Sequence, residues 1–195
     1  MAEEVRSALR AMEEGAYNTE MGELLWWSYY DTLLLEVATL EYSFFSTPLG
    51  QGGKTKAETN FPAANQMPQA QKLEVRAIEL FYIPQAAKSQ AEAQNIINAF
   101  RTGWLEFDFT NKAPLVQLPL PQLMGAAFPI IVSGAAAGDQ AYGRSEYTGV
   151  WESPVEIILP AKSNFSVNIV FNTALDASLE GDKLQISLVG GLVRL

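Results

Sequence analysis

From Glu36 to the C-terminus, hydrophobic and polar residues alternate with a period of two along most of the chain, and only two stretches carry the 3.6-residue period of a helix. The alternation predicts a strand over 36–45, stopped before Pro48, and a second over 72–83, stopped by Pro84. Within the second, Leu73, Val75 and Ala77 share one phase while Ile78 and Leu80 take the other, which predicts a bulge near Ala77 and Ile78. Further strands are expected at 103–109, with Leu105, Phe107 and Phe109 inward and Trp104, Glu106 and Asp108 outward, and at 115–118, 153–159 and 183–194. Phe165, Val167, Ile169 and Phe171 make 164–171 the clearest half-buried strand. Helical spacing recurs at Val5, Ala8, Leu9 and Met12, before Gly15, and at Ala93, Ile96, Ile97 and Phe100 within 86–101. Seven or eight strands with no βαβ rhythm and no fixed repeat define a mainly β fold. It is expected to be a single antiparallel β-sandwich or jelly roll with one inserted helix, about 86–101, and an N-terminal helical arm. The expected organisation is an arm over 1–31 and a β domain over 32–195.

Composition changes the picture most in the arm. Of 22 acidic and 13 basic residues in 195, giving a net charge of −9, seven acids and only Arg6 and Arg10 fall within 1–31. The same segment ends in Leu-Leu-Trp-Trp-Ser-Tyr-Tyr-Asp, so that Trp26, Trp27, Tyr29 and Tyr30 crowd into five positions. These four are expected to anchor contact with a neighbouring subunit, since Trp and Tyr combine large area with a polar tip. Folding back onto their own domain, or stacking against a sugar, are the alternatives. The loop over 47–71, rich in glycine, proline and amides, is long enough to be a structured excursion.

The chain has no cysteine and no histidine, which removes disulfides, thiolate and imidazole metal sites, and Ser-His chemistry. The acidic balance and the lack of a Lys/Arg cluster argue against binding a nucleic-acid backbone. The N-terminus lacks the basic-then-apolar order of a signal peptide, so synthesis in the cytoplasm is expected. The uncharged stretch between Lys112 and Asp139 is interrupted by Pro114, Pro119, Pro121 and Pro129 and reads as strand pieces and loop, not as a membrane span.

Three motifs hold candidate chemistry. Gly53-Lys54-Thr55 matches the end of a phosphate loop, but Pro48 stands where that loop requires glycine and no helix pattern follows, so a connecting loop is the better reading. Glu106 and Asp108 project from one face of one strand, as paired acids do in glycoside hydrolysis or calcium binding. Solvent-facing positions are polar in any case, and no second acid cluster must converge on them. Trp104 on the same face, or Trp151, suits sugar stacking and keeps a carbohydrate-binding or receptor-binding, lectin-like module open as the alternative function.

The strand from Leu40 to Phe45 running into Pro48-Leu-Gly-Gln-Gly-Gly-Lys54, the amide-rich loop over 59–69, the strand and helix over 72–101, Gly103-Trp-Leu-Glu-Phe-Asp-Phe109 and the terminal Leu188-Val-Gly-Gly-Leu-Val-Arg194 together matter as a series. In this order they resemble coat proteins of tailless icosahedral viruses of bacteria and archaea, built from one upright jelly roll per chain. The resemblance implies a structural virion protein, a bacteriophage-type capsid subunit that self-assembles and resides in the virion. Its implied partners are copies of itself, other coat proteins and an internal membrane. No enzyme activity, catalytic residue, cofactor, metal, nucleic-acid contact or small-molecule substrate is expected.

Overall fold

The computed structural model describes residues 24–37, 39–86, 88–109, 115–124, 131–132, 140–141 and 150–194. The helix expected over 5–12 lies outside them. Eight long strands are present: β1 (Leu24–Leu34), β2 (Glu41–Phe44), β3 (Gln71–Ile83), β4 (Trp104–Phe109), β5 (Val116–Pro119), β8 (Val150–Leu159), β9 (Phe165–Val170) and β10 (Lys183–Arg194). The short pair β6 (Ile131–Val132) and β7 (Gln140–Ala141) makes a ribbon of its own, and helices α1 (Gln90–Arg101) and α2 (Leu120–Met124) with a 3-10 turn (Ala177–Leu179) complete the described elements. The long strands form two four-stranded antiparallel sheets, ordered β1-β10-β3-β8 and β2-β9-β4-β5. A single hydrophobic core draws on both, as in a β-sandwich.

The first correction concerns the arm boundary. Residues 24–31, expected to belong to an arm, are the greater part of β1, which pairs along its whole length with β10. Here the alternative of folding back onto the domain is what the chain does. The period-two signal is hidden because aromatic side chains occupy both faces of the strand.

The bulge expected near Ala77 and Ile78 sits slightly earlier, at Arg76: Val75 pairs with Gly190 and Ala77 with Val189, leaving Arg76 without a partner. Leu73 and Val75 before it, and Ile78, Leu80 and Tyr82 after it, all reach the core, while Ala77 turns outward. On the opposite side of β3 the strand β8 loops out over 153–156, where Pro154 cannot donate to a ladder, and rejoins at Ile157. Gly190 is pressed against this bulge: a Cβ there would lie 1.8 Å from the carbonyl oxygen of Glu74.

The second correction concerns the inserted helix, which runs from Gln90 and not from residue 86. Ser89 accepts from the Glu92 amide while the Glu92 carboxylate accepts from the Ser89 amide, a capping box that fixes the start. Ala93, Ile96 and Phe100 then enter the core, as their spacing predicts.

Two clusters of edge-to-face aromatic rings tie the sheets together. Tyr29, Phe61, Phe45, Phe165 and Phe107 close one, and Tyr42, Phe171, Phe100 and Tyr82 the other. The long loop between β2 and β3 is held by charge. Lys54 pairs with the fully buried Asp31, whose other carboxylate oxygen accepts from the Phe45 amide at 2.7 Å. That bond holds Phe45 at φ +62°, a conformation bulky side chains avoid. Gly50, Gly52 and Gly53, all with positive φ, make the turn that delivers Lys54. The glycine-lysine motif is thus a strap, not a phosphate cradle. Asn60 lies along the outer edge of β1, accepting from the Tyr30 amide at 2.9 Å and donating to the Ser28 carbonyl at 2.7 Å.

A second buried pair joins Lys88 to Asp182 at 2.7 Å. Asp182 also accepts from Tyr82 and from the Gln85 amide, and Lys88 donates to the Ser178 carbonyl. Burial first, and the neighbouring Asp182 second, push the Tyr82 phenol far above its ordinary range.

Candidate functional surfaces

The four aromatic residues expected as contact anchors divide by strand parity. Tyr29 is buried in its own core, its hydroxyl on Gln71, and burial pushes its phenol up to about 12 against a smaller opposing pull from Arg194. Trp27 packs against the same core, in edge contact with Tyr29 and with the Arg194 guanidinium 5.7 Å from its ring centre. Tyr30 faces outward but leans on the loop, donating to the Lys56 carbonyl. Trp26 alone stands in solvent, 72% exposed.

Trp26 belongs to a larger pattern. Of the large apolar residues exposed among those described, Leu24, Trp26, Leu34, Phe81, Ile83 and Val150 occupy outward ladder positions of the β1-β10-β3-β8 sheet, and Val155 caps the excursion of its edge strand. Leu34, Lys183 and Ile83 form one cross-strand row, and Trp26, Gly191, Glu74 and Ile158 another. Charge on this face is mixed, with Glu156 in the β8 excursion and Glu58 beside Lys183 adding to the carboxylates of the ladder. Lys72, Lys183 and the bulge residue Arg76 stand against Glu74, Glu79 and Glu152, with Arg76 paired to Glu74.

Glu79 sits in the middle of this apolar face, half-buried, and burial raises its carboxyl above the ordinary range. As pH rises, the unfolded chain ionises this group first, so it contributes nothing below the ordinary carboxylate range and a penalty that grows to its full value once pH passes the raised folded value. Glu79→Gln should therefore move the urea midpoint up at neutral pH and leave it nearly unchanged in acid. A variant no more stable than the parent at neutral pH would contradict this placement.

The outer face of the β2-β9-β4-β5 sheet is its opposite in character. Cross-strand rows set Glu41, Val170, Trp104 and Pro119 side by side, then Ser43, Asn168, Glu106 and Gln117, then Ser166 and Asp108. No lysine or arginine occupies these positions. Glu106 and Asp108 do share a face, as their spacing predicts, and each is engaged: one Glu106 oxygen accepts from the Trp104 indole at 2.8 Å and from Gln117 at 3.1 Å, while Asp108 meets the Ser166 hydroxyl at 3.5 Å. The part played by Gln117 escapes sequence reasoning because only the β4-β5 register brings it there. Trp151 lies on the inner side of β8 against the core, so of the two tryptophans named for sugar stacking only Trp104 is placed for it. Among the described residues no group of three or more acidic side chains is arranged to hold a metal ion, and no helix is long and apolar enough to cross a membrane.

No protein-family model matches this chain, and no curated protein matches it in sequence.

Proposed function

We propose that the chain is a structural virion protein, a coat subunit of jelly-roll fold that self-assembles into an icosahedral shell. Strand order supports the fold. Counted along the chain, the eight long strands pair first with eighth, second with seventh, third with sixth and fourth with fifth. These are the pairings of one long ribbon folded at its middle and rolled into two sheets, the jelly-roll pattern used by viral coats and also by lectins and cupins. Fold alone therefore does not choose the function.

The observation that carries the choice is the concentration of exposed apolar side chains on one sheet face of mixed charge. Exposed apolar side chains gathered on one sheet face mark protein contacts. The fitting occupant is another copy of this chain. A molecule at −9 repels its own kind over most of its surface, and this face, which holds Lys72, Arg76 and Lys183 among its carboxylates while the ladder positions of the opposite sheet hold no cation, is where two copies approach at the lower electrostatic cost. On this reading its partners are copies of itself, other coat proteins and an underlying membrane, and it is made in the host cytoplasm and resides in the virion.

The test is size exclusion with light scattering over a concentration series, with fractions viewed by negative-stain electron microscopy. The expected result is concentration-dependent association or shell-like particles, lost in Phe81→Asp and in Trp26→Asp, which should remain folded monomers because both side chains already face water. A wild-type chain that stays monomeric at every concentration overturns the proposal. Any test of the segment preceding β1 should remove residues 1–23 only, since deletion through residue 31 would take most of a core strand with it.

A further inference from the structure

The polar sheet face holds chemistry that association through the opposite face leaves unused. Trp104, Glu106, Gln117, Leu118 and Pro119 line a shallow, open cleft of about 330 Å³. We infer that this cleft binds a neutral hexopyranose, its C–H face stacked on the Trp104 indole and its vicinal hydroxyls donating to Glu106 and the acceptors beside it.

Four observations lead to that class of ligand. First, Glu106 is oriented in advance: two donors, Trp104 and Gln117, converge on one carboxylate oxygen, leaving the other without a partner among the described residues. Second, the exposed Gln117 lines the same cleft, its amide nitrogen donating to Glu106 at 3.1 Å and its amide oxygen left without a partner among the described residues, an acceptor for a ligand hydroxyl. Third, the absence of lysine and arginine from every ladder position of this sheet excludes phosphates, nucleotides and acidic sugars, which the carboxylates would repel. Fourth, an indole flanked by a proline offers an apolar plane beside planar carboxylate and amide groups. A pyranose ring matches this two-sided demand, with an apolar face of C–H groups and a rim of hydroxyl donors.

This inference is independent of shell assembly, and its experiment reads a different quantity. The full chain is titrated with the methyl glycosides of glucose, galactose, mannose and N-acetylglucosamine, followed by tryptophan fluorescence and by saturation-transfer NMR. At least one glycoside should bind saturably, with a Kd on the order of 1 mM. Trp104→Ala and Glu106→Ala should each weaken it by about tenfold or more, with unchanged circular dichroism, while Trp26→Ala on the opposite sheet should leave it as in the parent. If Trp104→Ala fails to fold, Glu106→Ala decides the matter. The inference is overturned if none of the four sugars saturates up to about 50 mM, or if binding survives removal of the indole or the carboxylate. Scattering on the same samples reports association separately, so either result leaves the coat-subunit reading where it stood.

Discussion

Gly190→Ala is expected to lower the free energy of unfolding by about 3 kcal/mol or more, toward the upper end for overpacking a well-filled interior. The added methyl carbon would lie 1.8 Å from the Glu74 carbonyl oxygen and within 3.0 Å of the Arg76 amide nitrogen. Both are backbone atoms in the adjoining strand, so no side-chain rotation relieves the overlap. To make room, β10 would have to part from β3 at the bulge that brings both halves of β3 into the core. Gly191→Ala is the matched control: its Cβ would meet only side-chain atoms, at 3.5 Å and beyond, and it should stay within about 1 kcal/mol of the parent. Equilibrium urea unfolding of the two variants checks the pair. Equal midpoints would mean that the close approach of β10 to the bulge is not maintained in solution.

Lys88→Met should be comparably damaging, by about 3–5 kcal/mol, for a different reason. It leaves the carboxylate of Asp182 fully buried with two hydrogen-bond donors but no compensating charge, and it strands the Ser178 carbonyl. Lys183→Met gives the contrast. Its partner Glu58 is 3.7 Å away with both side chains well exposed, and the loss should not exceed about 1 kcal/mol. Urea midpoints distinguish the two cases, and a Lys88→Met variant as stable as Lys183→Met would remove the buried pair from any account of how this end of the domain is held.

What the sequence disclosed follows from which faces of each strand are buried. β9 and β4 have one wet face, so Phe165, Val167 and Ile169, or Leu105 and Phe107, alternate cleanly with polar neighbours. β3 disclosed even its bulge, because two apolar phases on one strand have no other cheap explanation. β1 stayed hidden because its outward positions carry Leu24, Trp26 and Leu34, so that neither face is marked as polar. The property that obscured the strand is the one that leaves apolar side chains exposed on its sheet face. The capping box was legible in Ser89 and Glu92 and would have set the helix start correctly. The ionic straps were not legible. Lys54 with Asp31 and Lys88 with Asp182 are pairs distant along the chain, and periodicity carries no information about them. The polar face followed the same division: Trp104, Glu106 and Asp108 were placed by strand parity, whereas Gln117 and Asn168 depend on cross-strand register.

The position of Asn60 bears on how matter can be added to this molecule. A bare strand edge is an open-ended template, since each strand joined to it presents a new edge identical in kind, and growth has no terminus. Opposite Ser28 and Tyr30 the carboxamide of Asn60 supplies one acceptor and one donor, as an incoming strand would, but offers nothing beyond itself to extend. A strand of another molecule cannot pair with β1 at these two residues, because the Tyr30 amide and the Ser28 carbonyl are already taken. The Thr59–Asn60 segment, which also bridges Asp31 and donates to the Tyr30 carbonyl, thus stands where a further strand would lie and caps this edge from within the chain.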